Sequence, residues 1–257
     1  MSTPSPRYVV SPVEFDVLWA ALDLGPTPVV LQLPSPGRTH AERRRIEADA
    51  WRALRDRNLS GPRGPQPGLV ELLQSLARPE HRLEVRARTT STIRAVAAGT
   101  ADGGVLAVRS DGAVVVGPCT SLPSAATGVL PSRAPGPGRA ANVPTASLVA
   151  ALHSASGAGL RADLIDHGAA PEEALPLTRM LRGVRWRAQV GAVVADPFGC
   201  QRRCDRTLGV LDGPRGRYLT TCSRADDGSD WTTVAPVDDR RLRHRVSALL
   251  TQAASTW

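Results

Sequence analysis

Apolar residues along the chain change their spacing several times, and each change predicts an element. Tyr8-Val9-Val10 reads as a short strand. Ser11, with Glu14 three residues on, forms a capping box. Phe15, Leu18, Trp19 and Leu22 then fall on one helical face, which Gly25-Pro26 ends. Val29 to Leu33 predicts a strand stopped by Pro34, since it is continuous, apolar and β-branched. Thr39 with Glu42 repeats the capping pattern and opens a helix to about Leu59, with Ile46, Ala50, Trp51 and Leu54 as its buried stripe. After a turn-rich break over 61–68, Leu69, Leu72, Leu73 and Leu76 mark a short helix.

From His81 the period becomes two. Leu83, Val85 and Ala87 alternate with Glu84, Arg86 and Arg88; runs at 93–98, 105–108 and 113–116 follow, and Ser110-Asp111-Gly112 is a hairpin turn. This is an antiparallel meander that Pro118 is expected to close, with a short helix at 122–130 after it. Beyond a Pro/Gly-rich stretch the chain starts again with helices at 144–156, 160–167 and 171–181, the last expected to kink or split at Pro176. Strands at 184–195, 208–211, 217–221 and 231–234 come next, and a final helix from Asp238 carries Leu242, Val246, Leu249, Leu250 and Ala253 on one face. Strand plus proline plus helix at 112–118 matches the same sequence of elements at 229–236, and each is preceded by a hairpin strand. The expectation is a pseudo-twofold α/β (α+β) fold: an N-terminal half 1–131, a linker 132–143 and a C-terminal half 144–257.

Composition alters this picture little. The 257 residues are 42% hydrophobic but only 4% aromatic, so the core must be built from Leu, Val and Ala, with Trp186 and Trp231 expected to pack in it. The 32 cationic side chains are all arginine, and the formal net charge is +8. With abundant Ala, Gly and Pro, an all-arginine basic set reads as a high-GC coding bias of the actinobacterial kind, so arginine richness is discounted as a functional sign. Arginines interspersed with acids, as at 42–47 and 238–245, are expected on solvated helix faces, and no aromatics lie between them to stack bases.

Catalytic signatures do not emerge. Without lysine there is no standard P-loop; Gly-x-Ser-x-Gly and His-Glu-x-x-His are missing, and the five histidines are scattered. Cys200-x-x-x-Cys204 has no second Cys/His pair nearby, so structural thiols are expected rather than zinc. No secretory signal or ~20-residue apolar run is visible, so the compartment expected is the cytoplasm. No catalytic residue, metal or cofactor is assigned.

Several blocks, in order along the chain, are similar to the EspG family, the chaperones of type VII (ESX) secretion in actinobacteria. They are Leu18-Trp19 to Gly25 with the Val-Val-Leu that follows; Ser35 to Arg44 with Trp51, Leu54 and Asn58-Leu59; Pro214 to Leu219; and Trp231 to Asp238 with Arg241-Leu242 and Leu249-Leu250. The resemblance implies a pseudo-twofold fold with a central antiparallel sheet and a helical bundle in the second half. It implies a cytosolic chaperone that covers the apolar tip of a PE/PPE-like helical secretion substrate and keeps it soluble. The family's substrate loop would fall on Arg88, Thr89, Thr90, Ser91 and Thr92, short in this chain, while Leu177, Met180 and Leu181 are the candidate apolar contacts. Phe198 to Cys204 departs from family habit as an insert-like loop. Neither membrane nor nucleic acid is expected as a partner, and a homodimer is left open. The competing readings are an arginine-rich nucleic-acid-binding regulator and, behind it, an unrecognised hydrolase.

Overall fold

The computed structural model describes residues 7–100, 103–154, 159–196 and 198–255. Its frame is one ten-stranded antiparallel sheet. The N-terminal half supplies β1 (Tyr8–Val10) and a meander of β4 (His81–Arg88), β5 (Thr92–Thr100), β6 (Gly103–Ser110) and β7 (Ala113–Cys119). Its C-terminal counterpart supplies β8 (Ala141–Pro144) and a meander of β9 (Trp186–Ala195), β10 (Gln201–Gly213), β11 (Gly216–Arg224) and β12 (Asp230–Pro236). A two-stranded hairpin, β2 (Ser60–Gly61) with β3 (Gly64–Pro65), stands apart. The order β1-β7-β6-β5-β4-β9-β10-β11-β12-β8 is mirrored about its middle, where β4 and β9 pair from His81↔Val194 to Arg88↔Arg187. Each half thus runs edge strand, three helices, four-stranded meander and covering helix, the pseudo-twofold plan expected from the sequence.

Two helices cover the front of the sheet: α4 (Leu122–Gly128) and α8 (Asp239–Ala254). Leu122 and Ala126 of α4 and Leu242, Val246, Leu249 and Ala253 of α8 pack on Leu83, Val85, Val190, Ala192 and Val210, so this core crosses the junction of the halves. On the back, α1 (Pro12–Ala21), α2 (His40–Asp56) and α3 (Pro67–Ala77) bury Phe15, Leu18, Leu54, Leu69, Leu73 and Leu76 against β1 and β5–β7. The helical bundle α5 (Thr145–His153), α6 (Leu160–Asp166) and α7 (Pro171–Leu181) packs Leu164, Ala174, Leu177 and Met180 against β8, β11 and β12.

Local chemistry explains the joints. The Ser11–Glu14 capping box is complete, and Glu14 also takes Arg57 at 2.6 Å, tying the end of α2 to the start of α1. At Thr39 only half the box forms, because the Glu42 carboxylate accepts from the Arg38 backbone N–H instead. Arg43 pairs with Asp16 and Glu47, which is what the Ser35–Arg44 block contributes to packing α2 on α1. Asp111 and Gly112, at φ 45° and 80°, make a two-residue turn of the kind that fits the twist of a hairpin.

Several expectations are corrected. Val29 to Leu33 is no strand: Val29–Leu31 is a 3₁₀ turn, with Val30 and Leu31 buried on the back of the sheet. Carbonyls that a ladder would have paired, those of Val30, Leu31 and Gln32, accept from the side chains of Arg94 and Arg109. Pro118 does not end its strand, which runs on to Cys119; β1 pairs with β7 only as far as Val116, leaving Pro118 at an edge position that tolerates a missing donor. Pro236 does end β12. Pro176 does not split α7, which runs unbroken from Pro171 to Leu181; the Glu172 carbonyl it orphans accepts from Arg139 Nη2 at 2.9 Å. The insert-like Phe198–Cys204 segment is a turn that passes into β10, with Gln201 to Arg203 already paired to β9. Trp186 and Trp231 lie outside the apolar clusters; Trp186 instead lies under the Arg133 guanidinium, 4.6 Å from its ring centre.

The Pro/Gly-rich stretch between the halves is held down along β11. Arg217 donates its N–H to the Ala134 carbonyl and accepts from the Gly136 N–H, while its side chain reaches the Pro131 carbonyl at 2.6 Å. Tyr218 covers Gly136 so closely that a β-carbon there would come within 2.1 Å of the ring. After this strap Ala141–Pro144 forms β8 on the sheet edge.

Candidate functional site

Pleating sends Leu83, Val85 and Ala87 of β4 to the front and Arg82, Glu84, Arg86 and Arg88 to the back. The same alternation in β9 sends Val190 and Ala192 forward and Arg187 and Gln189 back. The two helical layers on the back cover the flanks of the sheet, and neither apolar cluster reaches these central positions. They floor an open cleft of about 400 Å³ lined by Gln32, Arg86, Arg88, Thr92, Arg94, Arg187 and Gln189.

Register sets the electrostatics of this cleft. Arg109 lies opposite Arg94, Arg94 opposite Arg86, and Arg86 opposite Gln189, in one row across four strands. One step along, Thr92, Arg88 and Arg187 form the next row. Like charges directly opposite on neighbouring strands repel. Burial first, and then repulsion from Arg86 and Arg109, pushes the Arg94 guanidinium below its ordinary pKa, though it stays charged at neutral pH. Glu84, on the same face of β4, is buried and already held by Arg82 at 3.1 Å and by Arg203.

The structure brings some of the predicted site residues here. Arg88 and Thr92 are exposed at the cleft wall, joined by a tight loop in which the Thr89 N–H donates to the Ser91 carbonyl at 2.9 Å and Thr90 points to solvent. The candidates on α7 lie elsewhere. Leu177 and Met180 are buried in the bundle core and Leu181 is half-buried against it. The apolar side chains that the bundle does expose are Val149 and Leu152 of α5. Arg86, Arg94 and Arg187 were missed by sequence reasoning. The signal for Arg86 was the polar phase of the β4 alternation, and Arg94 and Arg187 lie on β5 and β9; all three were hidden when arginine was discounted as composition.

A second depression, apolar and about 680 Å³, lies on the front beside α4, over Ile93, Leu106, Val108 and Val115. It exists because α4 has seven residues where its counterpart α8 has sixteen. Burial pushes the Cys119 thiol on its wall above the ordinary thiol pKa. Cys200 is exposed and Cys204 half-buried, and no group of three metal-ligating side chains gathers around them among the described residues. Among those residues, too, no helix is long and apolar enough to cross a membrane.

No curated protein matches the chain. Among solved structures it is similar to the type VII secretion system chaperone EspG5 of Mycobacterium tuberculosis, determined in complex with the PE25-PPE41 dimer. The TM-score is 0.73 at 17% identity, over 95% of this chain and 96% of that one. The EspG family model matches residues 11–248, both halves and the strap between them, and the chain therefore belongs to the EspG family.

Proposed function

We infer that this protein is a cytoplasmic chaperone of type VII secretion that holds a PE/PPE-like helical substrate in soluble form until export. The observation that carries this reading is family membership over residues 11–248, together with a whole-chain likeness to a chaperone captured with its PE-PPE dimer. The physical task is binding rather than chemistry: an apolar helical tip left in water aggregates, and a complementary surface prevents that. An open, largely preformed sheet face suits such a role without a cofactor or a catalytic group.

In this reading the halves 1–131 and 144–257 work as one platform, and substrate contacts come from the back of the sheet. The loop Arg88, Thr89, Thr90, Ser91 and Thr92 supplies the rim. Leu181 and the exposed Val149 and Leu152 supply apolar contact from the bundle, while Leu177 and Met180 hold α7 in place from beneath. Co-expression with PE/PPE-like pairs, the PE25-PPE41 dimer of the solved complex among them, tests it. A 1:1:1 complex on size exclusion with light scattering is the expected result, and no complex with any such pair would sink the reading.

A further inference from the structure

We propose that the arginine-floored cleft on the back of the central strands is a carboxylate receptor, and that it seats an acidic segment of the substrate that flanks the apolar tip. This rests on the chaperone reading and gives the partner a chemistry: Asp and Glu side chains beside its apolar tip.

Three observations carry it. First, Arg86, Arg88 and Arg187 face the cleft with no carboxylate bonded to them among the described residues, and Glu84 is taken by Arg82 and Arg203. Second, Arg109, Arg94 and Arg86 stand opposite one another on adjacent strands, a placement that costs the free protein electrostatic energy an anion would recover. Third, the backbone carbonyls of Val30, Leu31 and Gln32 hold Arg94 and Arg109 in place, so the row is preorganised. Guanidinium forks match carboxylates two bonds at a time. Nucleic acid fits less well, because no aromatic side chain lines the cleft to stack a base.

The test uses the full chain with three probes: a PE/PPE-like pair that co-purifies with it, a synthetic Glu-rich helical peptide, and an oligothymidine of similar length. The variants are Arg86→Glu with Arg187→Glu, and Arg243→Glu with Arg245→Glu on the exposed side of α8 as a control of equal net charge. Circular dichroism and the melting curve establish that each variant folds, and Arg86→Gln with Arg187→Gln replaces the reversal if it does not.

Binding of pair and peptide is expected to weaken about tenfold or more in the cleft variant; in the parent and the control it should fall steeply as salt rises from about 50 to about 300 mM, a salt dependence the cleft variant loses. The charge-matched α8 control should bind nearly as the parent does. A pair that binds the cleft variant as tightly as the parent would overturn the inference and leave the chaperone reading standing. Oligothymidine binding more tightly than the peptide, and through the same arginines, would overturn it in favour of nucleic acid. If no such pair binds any form of the chain, the chaperone reading fails, and the peptide alone decides whether the cleft takes carboxylates.

Discussion

Arg217 is the residue on which the junction of the halves turns. It is 1% exposed, bonds Asp212 through two nitrogens at 2.7 and 2.8 Å, and reaches Asp239 at 2.8 Å. Replacing it with methionine leaves the Asp212 carboxylate buried and uncompensated. The expected cost is about 3–5 kcal/mol, read as a lower denaturant midpoint. Asp212→Asn in the same background should recover part of it. The neighbouring Tyr218 and the more distant Cys119 give the protein an alkaline limit. Burial is the main cause that raises both pKa values above their ordinary ones. A group whose folded pKa exceeds its unfolded value stabilises fully below the unfolded pKa, and loses that contribution as pH rises through the folded one. Stability should therefore fall beyond about pH 8.5 for the thiol and about pH 10 for the phenol, with Cys119→Ala removing the first phase of a stability-against-pH curve. The Pro214–Leu219 block was visible in the sequence as a family-like string. That its Arg and Tyr are buried fasteners for residues 131–137 was not, since their partners lie some eighty positions away.

At the scale of elements, the strongest sequence signals were those whose causes are local. The Ser11 capping box, the Asp111-Gly112 turn and the alternation of 83–87 depend on neighbours within a few residues, and each stands as expected. The readings that failed depend on distant side chains. Val29–Leu31 leaves the ladder because Arg94 and Arg109 claim carbonyls of this segment, and α7 runs unbroken through Pro176, with Arg139 bonding the orphaned carbonyl. This second device is testable. Arg139→Ala also removes the 2.8 Å pair with Glu173, and α7 should loosen by about 1–2 kcal/mol. Hydrogen exchange of the α7 amides should speed up while those of α3 stay as they were.

Across the whole molecule, the front core joins residues of both halves around the β4–β9 pairing, and no apolar layer separates them there. Heat or denaturant should therefore unfold the protein in one transition. Tryptophan fluorescence, reporting Trp19 and Trp51 in one half and Trp186 and Trp231 in the other, should coincide with far-ultraviolet dichroism. Separate transitions would mean that the halves fold independently. The sequence by itself determined the element periods, the repeated strand-turn-helix plan and the absence of local catalytic motifs, because these are written in spacings of two to four residues. Only the tertiary structure decided that the two meanders meet at β4 and β9. It also decided that arginines scattered from position 86 to position 187 share one uncovered face. Register between distant strands is a property of the folded sheet, and it turned a bias in composition into a charged cleft.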